Sequence, residues 1–205
     1  MITIENRSSK PRSRRKDMQP ESVAKQLWRK ASTGDREAYE QLFALHVDRL
    51  LIFIRARMGE ALQAKIEPED VLQETYLAAH RSFSEFDYSD DGAFFRWICQ
   101  IVNNRLRDAA DHFGARKRQP LDIPKSWPTG PQTALGRVEG RQQIEQALGQ
   151  LSPEHREVIL LRYFEGLSTE ESAARMGRSS GAVRNLLSRA LVELGKHIKS
   201  NERDS

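Results

Sequence analysis

The sequence predicts an all-α protein: two small helical domains joined by a flexible linker, the C-terminal one containing a helix-turn-helix. Apolar residues recur with a 3.6-residue rhythm in several segments, and no segment shows the strict alternation of a strand. Residues 114–136 interrupt the rhythm with four prolines and three glycines. We therefore divide the chain into a basic tail at 1–20, a first domain at 21–113, a linker at 114–136 and a second domain at 137–199.

Charge is unevenly distributed along the chain. Residues 1–20 carry six basic and two acidic side chains, which gives +4, the net charge of the whole chain. With almost no apolar periodicity, this tail is predicted to be a disordered basic arm. Residues 31–91 hold six basic and thirteen acidic side chains (−7), whereas residues 175–199 hold six basic and one acidic (+5). This asymmetry suggests two partners of opposite charge, although an ordinary solvated surface would also produce it.

Composition limits the class of protein. The chain is 38% hydrophobic and 30% charged, enough for modest cores. No run approaches the ~20 apolar residues of a membrane span, and the N-terminus lacks a secretory signal. A single cysteine, Cys99, excludes an internal disulfide framework and suits a reducing compartment. We therefore expect a cytoplasmic protein.

Four helices are predicted in the first domain. The first spans 21–31, and Asp35 caps a second whose apolar rhythm runs unbroken over 36–58. Pro68 stands at the first position of the third helix, where its missing N–H costs nothing. The fourth helix follows a polar loop that ends at Gly92. Its predicted buried face is Phe95, Ile98, Val102, Leu106 and Ala109.

The second domain is predicted to contain helices at roughly 137–150, 153–164, 169–176 and 180–198. Ser168 and Glu171 have the spacing of a capping box, which begins the third of these helices. Gly177 occupies the tight turn that follows, and Ser179 or Ser180 caps the last helix. Two short helices joined by such a turn form a helix-turn-helix, whose second helix enters the major groove of DNA.

The last helix has two distinct faces. Its apolar stripe is Val183, Leu186, Leu187, Ala190, Leu194 and Ile198. The opposite face carries short polar side chains and arginines, which suit base edges and phosphates. The candidate DNA-binding residues are Ser180, Ala182, Arg184, Asn185, Ser188 and Arg189. From these residues alone, a plain helical hairpin with a solvated basic face is an equally good interpretation.

Residues 148–194 resemble the promoter-binding C-terminal domain of ECF (extracytoplasmic function) sigma factors. That family reads L-P-x-x-x-R-E-V-L-x-L-R-Y-x-E-G-L-S-x-x-E-I-A-x-x-L-G. The matching positions are Pro153, Arg156-Glu157-Val158, Leu161-Arg162-Tyr163, Glu165-Gly166-Leu167-Ser168, Glu171, Ala173 and Gly177. This chain departs at Ser172, where the family has an apolar residue, and we expect looser packing of that helix.

The first domain resembles the same family independently. Residues 31–51 match its opening pattern with Gly34, Asp35, Ala38, Leu42, His46 and Leu50. The segment Asp70-Val-Leu-Gln-Glu-Thr-Tyr is similar to the one through which sigma factors dock on the polymerase clamp helices. The runs Phe94-Phe-Arg-Trp-Ile and Ile101-Val-Asn-Asn-Arg-Leu-Arg-Asp are similar to the helix that handles the −10 promoter element. The basic tail has no counterpart in the resemblance.

The resemblance implies a sigma factor that binds core RNA polymerase and promoter DNA, and often an anti-sigma protein as well. It implies polymerase binding through Asp70, Gln73 and Glu74. It implies contacts to the −10 element by Arg96, Gln100, Asn103, Asn104 and Arg107, and places the second domain at the −35 element. The loop at 83–92 corresponds to a pocket for a flipped base, with Phe83, Phe86 and Tyr88 as stacking surfaces. Those aromatic rings fit a core role equally well.

Two other classes of protein remain as alternatives. A stand-alone helix-turn-helix regulator that binds an operator accounts for residues 166–194 but leaves the first-domain motifs unexplained. An enzyme with a DNA-binding appendage finds no acid–base or metal chemistry in residues 21–112. The five histidines have no metal-ligand spacing, no phosphate-binding glycine loop is present, and we expect no catalysis, metal or cofactor. We expect Cys99 and Trp97 to be mainly buried.

Overall fold

The computed structural model describes residues 21–112 and 134–201, and all regular structure within them is helical. The first half contains α1 (Val23–Ser32), α2 (Arg36–Ala44), α3 (Val47–Arg57), α4 (Glu60–Gln63), α5 (Pro68–Arg81) and α6 (Ala93–His112), with a 3₁₀ turn at Phe83–Glu85. The second half contains α7 (Ala134–Gln150), α8 (Pro153–Ile159), a π-helical turn (Leu160–Phe164), α9 (Thr169–Met176) and α10 (Ser180–Asn201). The basic tail and residues 114–133 of the predicted linker lie outside the described residues.

The predicted continuous helix over 36–58 is wrong, because the chain turns at Leu45 and His46 between α2 and α3. Every residue from Leu50 to Ile54 is buried, so α3 is covered on more than one side. The turn lets α3 run through the core while Leu45 remains 55% exposed. The apolar rhythm spans the break because both helices pack on the same core, which periodicity alone does not reveal.

The predicted helix starts at Asp35 and Pro68 and the predicted buried face of α6 can be compared directly with the structure. The Asp35 carboxylate accepts the Ala38 N–H at 3.0 Å and begins α2. Pro68 is the first residue of α5, after Glu67 at the N-cap. The predicted buried face of α6 is confirmed for Phe95, Ile98, Val102 and Leu106, while Ala109 is half-buried. The first helix of the second domain begins earlier than predicted, because α7 starts at Ala134, inside the predicted linker.

The two halves pack directly against each other. Phe164 lies against Phe53 and Phe95, with ring centroids 5.7 and 6.2 Å apart. The Arg57 guanidinium pairs with Glu157 at 2.5 Å and also with Glu165. The described residues therefore form one continuous apolar core.

The π-helical turn positions Phe164 for its contact with the first half. The Glu165 N–H donates to the Leu160 carbonyl at 2.9 Å, five residues back, instead of four. The wider turn buries Phe164 and leaves Tyr163 51% exposed. It thereby presents the Phe164 ring to α3 and α6.

Candidate nucleic-acid interface

The helix-turn-helix has the predicted geometry. Ser168 Oγ accepts the Glu171 N–H at 3.1 Å, and Glu171 Oε2 accepts the Ser168 N–H at 2.7 Å. The bonds from Ser168 lower the pKa of the Glu171 carboxyl. Gly177 has φ of 63°, in the left-handed region that favours glycine. Ser179 Oγ accepts the Ala182 N–H at 3.2 Å, so Ser179 is the residue that caps α10.

The outer face of α10 is open to solvent. Arg184, Asn185, Ser188 and Arg189 are all exposed, while Val183 and Ala190 on the inner face are buried. Neither arginine of this face forms an ion pair with a described residue, so both guanidinium groups can meet phosphates. Ser180 and Ala182 are half-buried at the start of the helix. The six predicted residues thus lie together in the N-terminal half of one helix, and four of them are exposed.

An acidic side chain ends this positive face. Glu193 Oε2 lies 2.5 Å from Nδ1 of His155, in a surface groove of about 380 Å³ that Ser188, Arg189 and Lys196 also line. A carboxylate at this position opposes the approach of phosphate oxygens. The six predicted residues therefore lie in the ten residues from Ser180 to Arg189, before this carboxylate.

The predicted residues of α6 form a stripe, with one exception. Gln100, Asn104 and Arg107 are exposed and Asn103 is half-buried. Arg107 Nη1 donates to Asn104 Oδ1 at 3.4 Å. Arg96 instead points toward the preceding loop and the second domain: its guanidinium donates to Asp90, and its side chain occupies the space that a Cβ at Gly166 would fill. The structure therefore separates Arg96 from the rest of the set.

The loop at 83–92 is held by two aspartates that sequence reasoning did not single out. Asp90 accepts the Gly92 N–H at 2.8 Å and Arg96 Nη2 at 2.6 Å, and these bonds lower the pKa of its carboxyl to about 2. The Ser22 and Tyr88 hydroxyls both donate to Asp91, and these bonds lower the pKa of that carboxyl too. The only available signal was the pair of acids just before α6, a common helix-start pattern.

The aromatic residues of the loop pack with α6 and α1. The Phe86 ring centroid lies 5.0 Å from that of Trp97 and 5.4 Å from that of Phe94. Phe83 lies 6.1 Å from Phe94, and Tyr88 lies 5.2 Å from Trp28. All three loop rings are half-buried, so they support the loop and keep one part in contact with solvent. Trp97, expected to be mainly buried, is half-buried within this cluster.

The predicted polymerase-binding residues lie together on α5. Asp70 is exposed in the first turn, and Gln73 and Glu74 are half-buried one turn later. The opposite face of α5 is buried through Val71, Leu72, Thr75, Tyr76 and Ala79. The three side chains therefore form an outward-facing acidic and amide patch that can pair with a basic partner surface.

Other kinds of site find no support in the described residues. They contain no cluster of three or more His, Cys, Asp or Glu side chains suited to a metal ion. Cys99 is fully buried, and burial raises the pKa of its thiol, which is the opposite of what a nucleophile requires. In the same part of the chain, every helix is too short or too polar to cross a lipid bilayer.

Two protein families match the chain, in order and without overlap. The family "Sigma-70 region 2" matches residues 42–118, and "Sigma-70, region 4" matches residues 141–194. The first includes the α5 patch, the 83–92 loop and the α6 stripe. The second includes the helix-turn-helix.

Several characterised proteins are similar over most of their length. RNA polymerase sigma factor NccH of Alcaligenes xylosoxydans xylosoxydans is 29% identical over 188 residues, which cover 88% of this chain and 97% of that protein. ECF RNA polymerase sigma factor SigD of Mycobacterium tuberculosis is 30% identical, covering 82% and 80% respectively. RNA polymerase sigma factor CarQ of Myxococcus xanthus is 34% identical, covering 74% and 83%. A solved structure of CnrH in complex with the cytosolic domain of CnrY is 27% identical, covers 87% of this chain and 99% of that one, and has a TM-score of 0.48.

Proposed function

The chain belongs to the ECF family of RNA polymerase sigma factors, and from this membership we propose how its surfaces direct transcription initiation. Its function is to bind core RNA polymerase and bring it to promoters, where the DNA is opened. The observation that supports this most strongly is the presence of both family regions in one chain, each with its own exposed polar surface. Its place of action is the cytoplasm, and it contributes no catalysis of its own.

The α5 patch is the polymerase-binding surface in this proposal. Asp70, Gln73 and Glu74 present acidic and amide oxygens on the side of α5 opposite the core. Charge complementarity with a basic surface of the polymerase would orient the encounter and fix its register. The family resemblance also implies an anti-sigma protein as a partner of the free chain.

The α10 face reads the −35 element. In a helix-turn-helix the N-terminal residues of the second helix contact base edges in the major groove. Asn185 and Ser188 can donate and accept hydrogen bonds with bases, whereas Arg184 and Arg189 suit phosphates. Ser180 and Ala182 lie at the end of the helix that enters the groove.

The α6 stripe and the 83–92 loop handle the −10 element. Gln100, Asn103, Asn104 and Arg107 follow one side of α6, where they can track a DNA strand. The half-buried Phe83, Phe86 and Tyr88 provide ring faces on which an extruded base could stack, which offsets the few kcal/mol that unstacking costs. Arg96 acts in this proposal by holding Asp90 and hence the loop, as well as by contacting DNA.

Run-off transcription with core RNA polymerase on a library of upstream sequences tests the proposal. We expect start-site-defined transcripts that depend on the added chain. The free chain should bind duplex promoters weakly and with little sequence preference, because the net charge of −7 over residues 31–91 repels the DNA backbone. Tight binding of the free chain to one duplex site, with no effect of core enzyme, would instead indicate an operator-binding regulator.

A further inference from the structure

The contact between the two halves contains a cluster of ionic groups. Arg57 of α3 donates to both Glu157 and Glu165 of the second half, and its side chain is only 16% exposed. One helical turn before the Phe53 ring, the Arg49 guanidinium donates to the Tyr163 carbonyl. These bonds tie α3 to α8 and to the π-helical turn.

A second ionic group joins α3 to α7. Glu145 lies 3.3 Å from Arg55 of α3 and 3.5 Å from Arg141, and Arg141 lies 3.9 Å from Asp48. Arg55 also pairs with Glu69 in the first turn of α5 at 2.9 Å. The second half therefore reaches the edge of the α5 patch.

An interface of this kind can separate reversibly. Contacts between domains of one chain usually resemble transient protein–protein interfaces, which are more polar than a core. Charged groups that leave such an interface regain their hydration, which offsets much of the lost attraction. The ionic groups between the halves therefore favour a packed state that can open.

The packed arrangement is too small to span a promoter. A compact body of about 160 residues has a radius of gyration of about 15 Å and is about 40 Å across. The −10 and −35 elements lie about 25 base pairs apart, which is about 85 Å along the duplex at about 3.4 Å per base pair. This length is far below the persistence length of about 150 base pairs, so the duplex cannot fold back onto such a body. The α6 stripe and the α10 face therefore cannot occupy both elements while the halves stay packed.

The packing also covers one end of the predicted −10 surface. The Arg96 side chain occupies the space beside Gly166 of the second half, and its guanidinium donates to Asp90 at 2.6 Å. Separation of the halves would remove the Gly166 turn from Arg96. The whole α6 stripe would then be open to DNA.

We propose that the packed arrangement is an autoinhibited state of the free chain, which Arg57 holds closed through Glu157 and Glu165 without a second protein. Core polymerase and promoter DNA bind the open state, in which the halves are separated. The 21 residues between α6 and α7 cover at most about 70–80 Å when extended, enough with the halves themselves to reach both elements. The inference rests on the proposed function, because it uses the −10 and −35 assignments.

Energy transfer between two dyes measures the separation of the halves in the full chain. The dyes are attached to Glu37→Cys in α2 and Lys199→Cys in α10, both exposed positions, in a Cys99→Ala background. We expect high transfer in the free chain and low transfer in the complex with core polymerase and promoter DNA. Low transfer in the free chain, or unchanged high transfer in the promoter complex, would overturn the proposal.

Glu157→Gln combined with Glu165→Gln tests the role of Arg57. The closed state would then hold a largely buried guanidinium without its carboxylates, whereas water hydrates this group in the open state. We expect lower transfer in the free chain. We also expect core polymerase affinity to rise at least about tenfold, because affinity scales with the populated fraction of the competent state and a close interfacial ion pair commonly contributes this factor. Arg57→Gln, made in the other half, should have the same two effects.

The matched control is Glu154→Gln combined with Glu170→Gln. It makes the same change of charge in the same half, but both carboxylates are exposed and Glu154 pairs with Arg178 of its own half. This control should keep the transfer and the core affinity of the wild type, and circular dichroism verifies the helical content of every variant. Wild-type transfer in both the Glu157/Glu165 variant and Arg57→Gln would overturn the proposal.

Run-off transcription by the wild type is measured first. Its failure removes the proposed function. Normal transcription, with transfer that stays high in the promoter complex, removes only the autoinhibited state.

Discussion

Arg57 of α3 and Glu165, which follows the π-helical turn, form an ion pair that is nearly closed to solvent. The Arg57 side chain is 16% exposed and that of Glu165 only 7%. The two residues stand 108 positions apart and belong to different halves of the chain. This pair, with the Phe53–Phe164 contact beside it, joins the two family regions in the free protein.

Arg57→Ala should lower the free energy of unfolding by roughly 3 kcal/mol, because it leaves the buried Glu165 carboxylate without its cation. Urea denaturation of the full chain measures this loss. Adding Glu165→Gln should restore part of it by removing the orphaned charge. Arg29→Ala, which breaks the exposed pair with Glu21, should cost less than about 1 kcal/mol. Equal losses of stability from Arg57→Ala and Arg29→Ala would contradict the conclusion that the Arg57–Glu165 pair is buried and the Arg29–Glu21 pair exposed.

Asp70→Arg combined with Glu74→Arg should abolish binding to core RNA polymerase. Both halves should stay folded, because neither side chain lies on the face of α5 that packs on the apolar core. A pull-down with core enzyme measures binding, and circular dichroism verifies the helical content. The matched control reverses the exposed acids Glu37 and Asp111, and should bind as the wild type does. Unchanged core affinity in the α5 double variant would remove the docking assignment.

Substitution of Asn185 or Ser188 by Ala should change which −35 sequence is preferred, by about 1–3 kcal/mol per good base contact. Holoenzyme selection from a randomised −35 library measures the preference. The expected change is confined to the base positions that each side chain contacts.

Arg184→Ala and Arg189→Ala should act differently, since both guanidinium groups are exposed and suited to phosphates. We expect weaker binding to all −35 sequences and a salt slope reduced by about 1 for each lost contact. If these changes and those at Asn185 and Ser188 only lowered the melting temperature, the face would be a packing surface.

His46 should make stability depend on pH. Burial and the Arg49 guanidinium lower the pKa of its imidazole from 6.5 to about 4. The unfolded chain therefore binds more protons between these two values, so stability is complete above about pH 6.5 and is lost as pH falls toward 4. Between pH 7 and pH 4, wild type should lose on the order of 2–3 kcal/mol more than His46→Leu. Urea denaturation at both pH values measures the free energy of unfolding of the two proteins. Equal losses in wild type and His46→Leu would exclude His46 as the cause of the pH dependence.

Two serine substitutions, one inside α9 and one at its N-cap, should change the free energy of unfolding in opposite directions. Ser172 is fully buried, and its Oγ has no hydrogen-bond partner among the described residues. Ser172→Ala should therefore raise the free energy of unfolding by about 1 kcal/mol. Ser168→Ala removes the N-cap of α9 and should lower it by about 1 kcal/mol. Thermal denaturation of both variants distinguishes them, and a destabilised Ser172→Ala would show that its hydroxyl is satisfied.

Features that depend on neighbouring residues could be predicted from the sequence. Asp35, Pro68, the Ser168–Glu171 capping box and Gly177 each act within one helical turn, so spacing and side-chain chemistry identify them. The exposed faces of α5 and α10 follow from periodicity for the same reason. The break at His46 was missed because the apolar rhythm continues through it.

Contacts between distant residues could not be predicted. Ser22 and Asp91 are 69 positions apart, and no local pattern pairs a helix cap with a loop carboxylate. Arg96 fits the stripe of α6 by spacing, yet its length lets it reach Asp90 and Gly166. The packing of Phe164 requires a π-helical turn, a departure from the 3.6-residue repeat that periodicity assumes.

The aromatic cluster around the 83–92 loop gives the protein an intrinsic fluorescent reporter. The chain has three tryptophans, of which Trp28 packs on Tyr88 and Trp97 on Phe86, while Trp127 lies outside the described residues. A base that displaced either ring contact would change the polarity around an indole and shift its emission. A Trp127→Phe protein would then emit only from the two indoles that touch this loop. Stopped-flow emission of the free chain could follow the binding of a single-stranded −10 oligonucleotide without any attached dye.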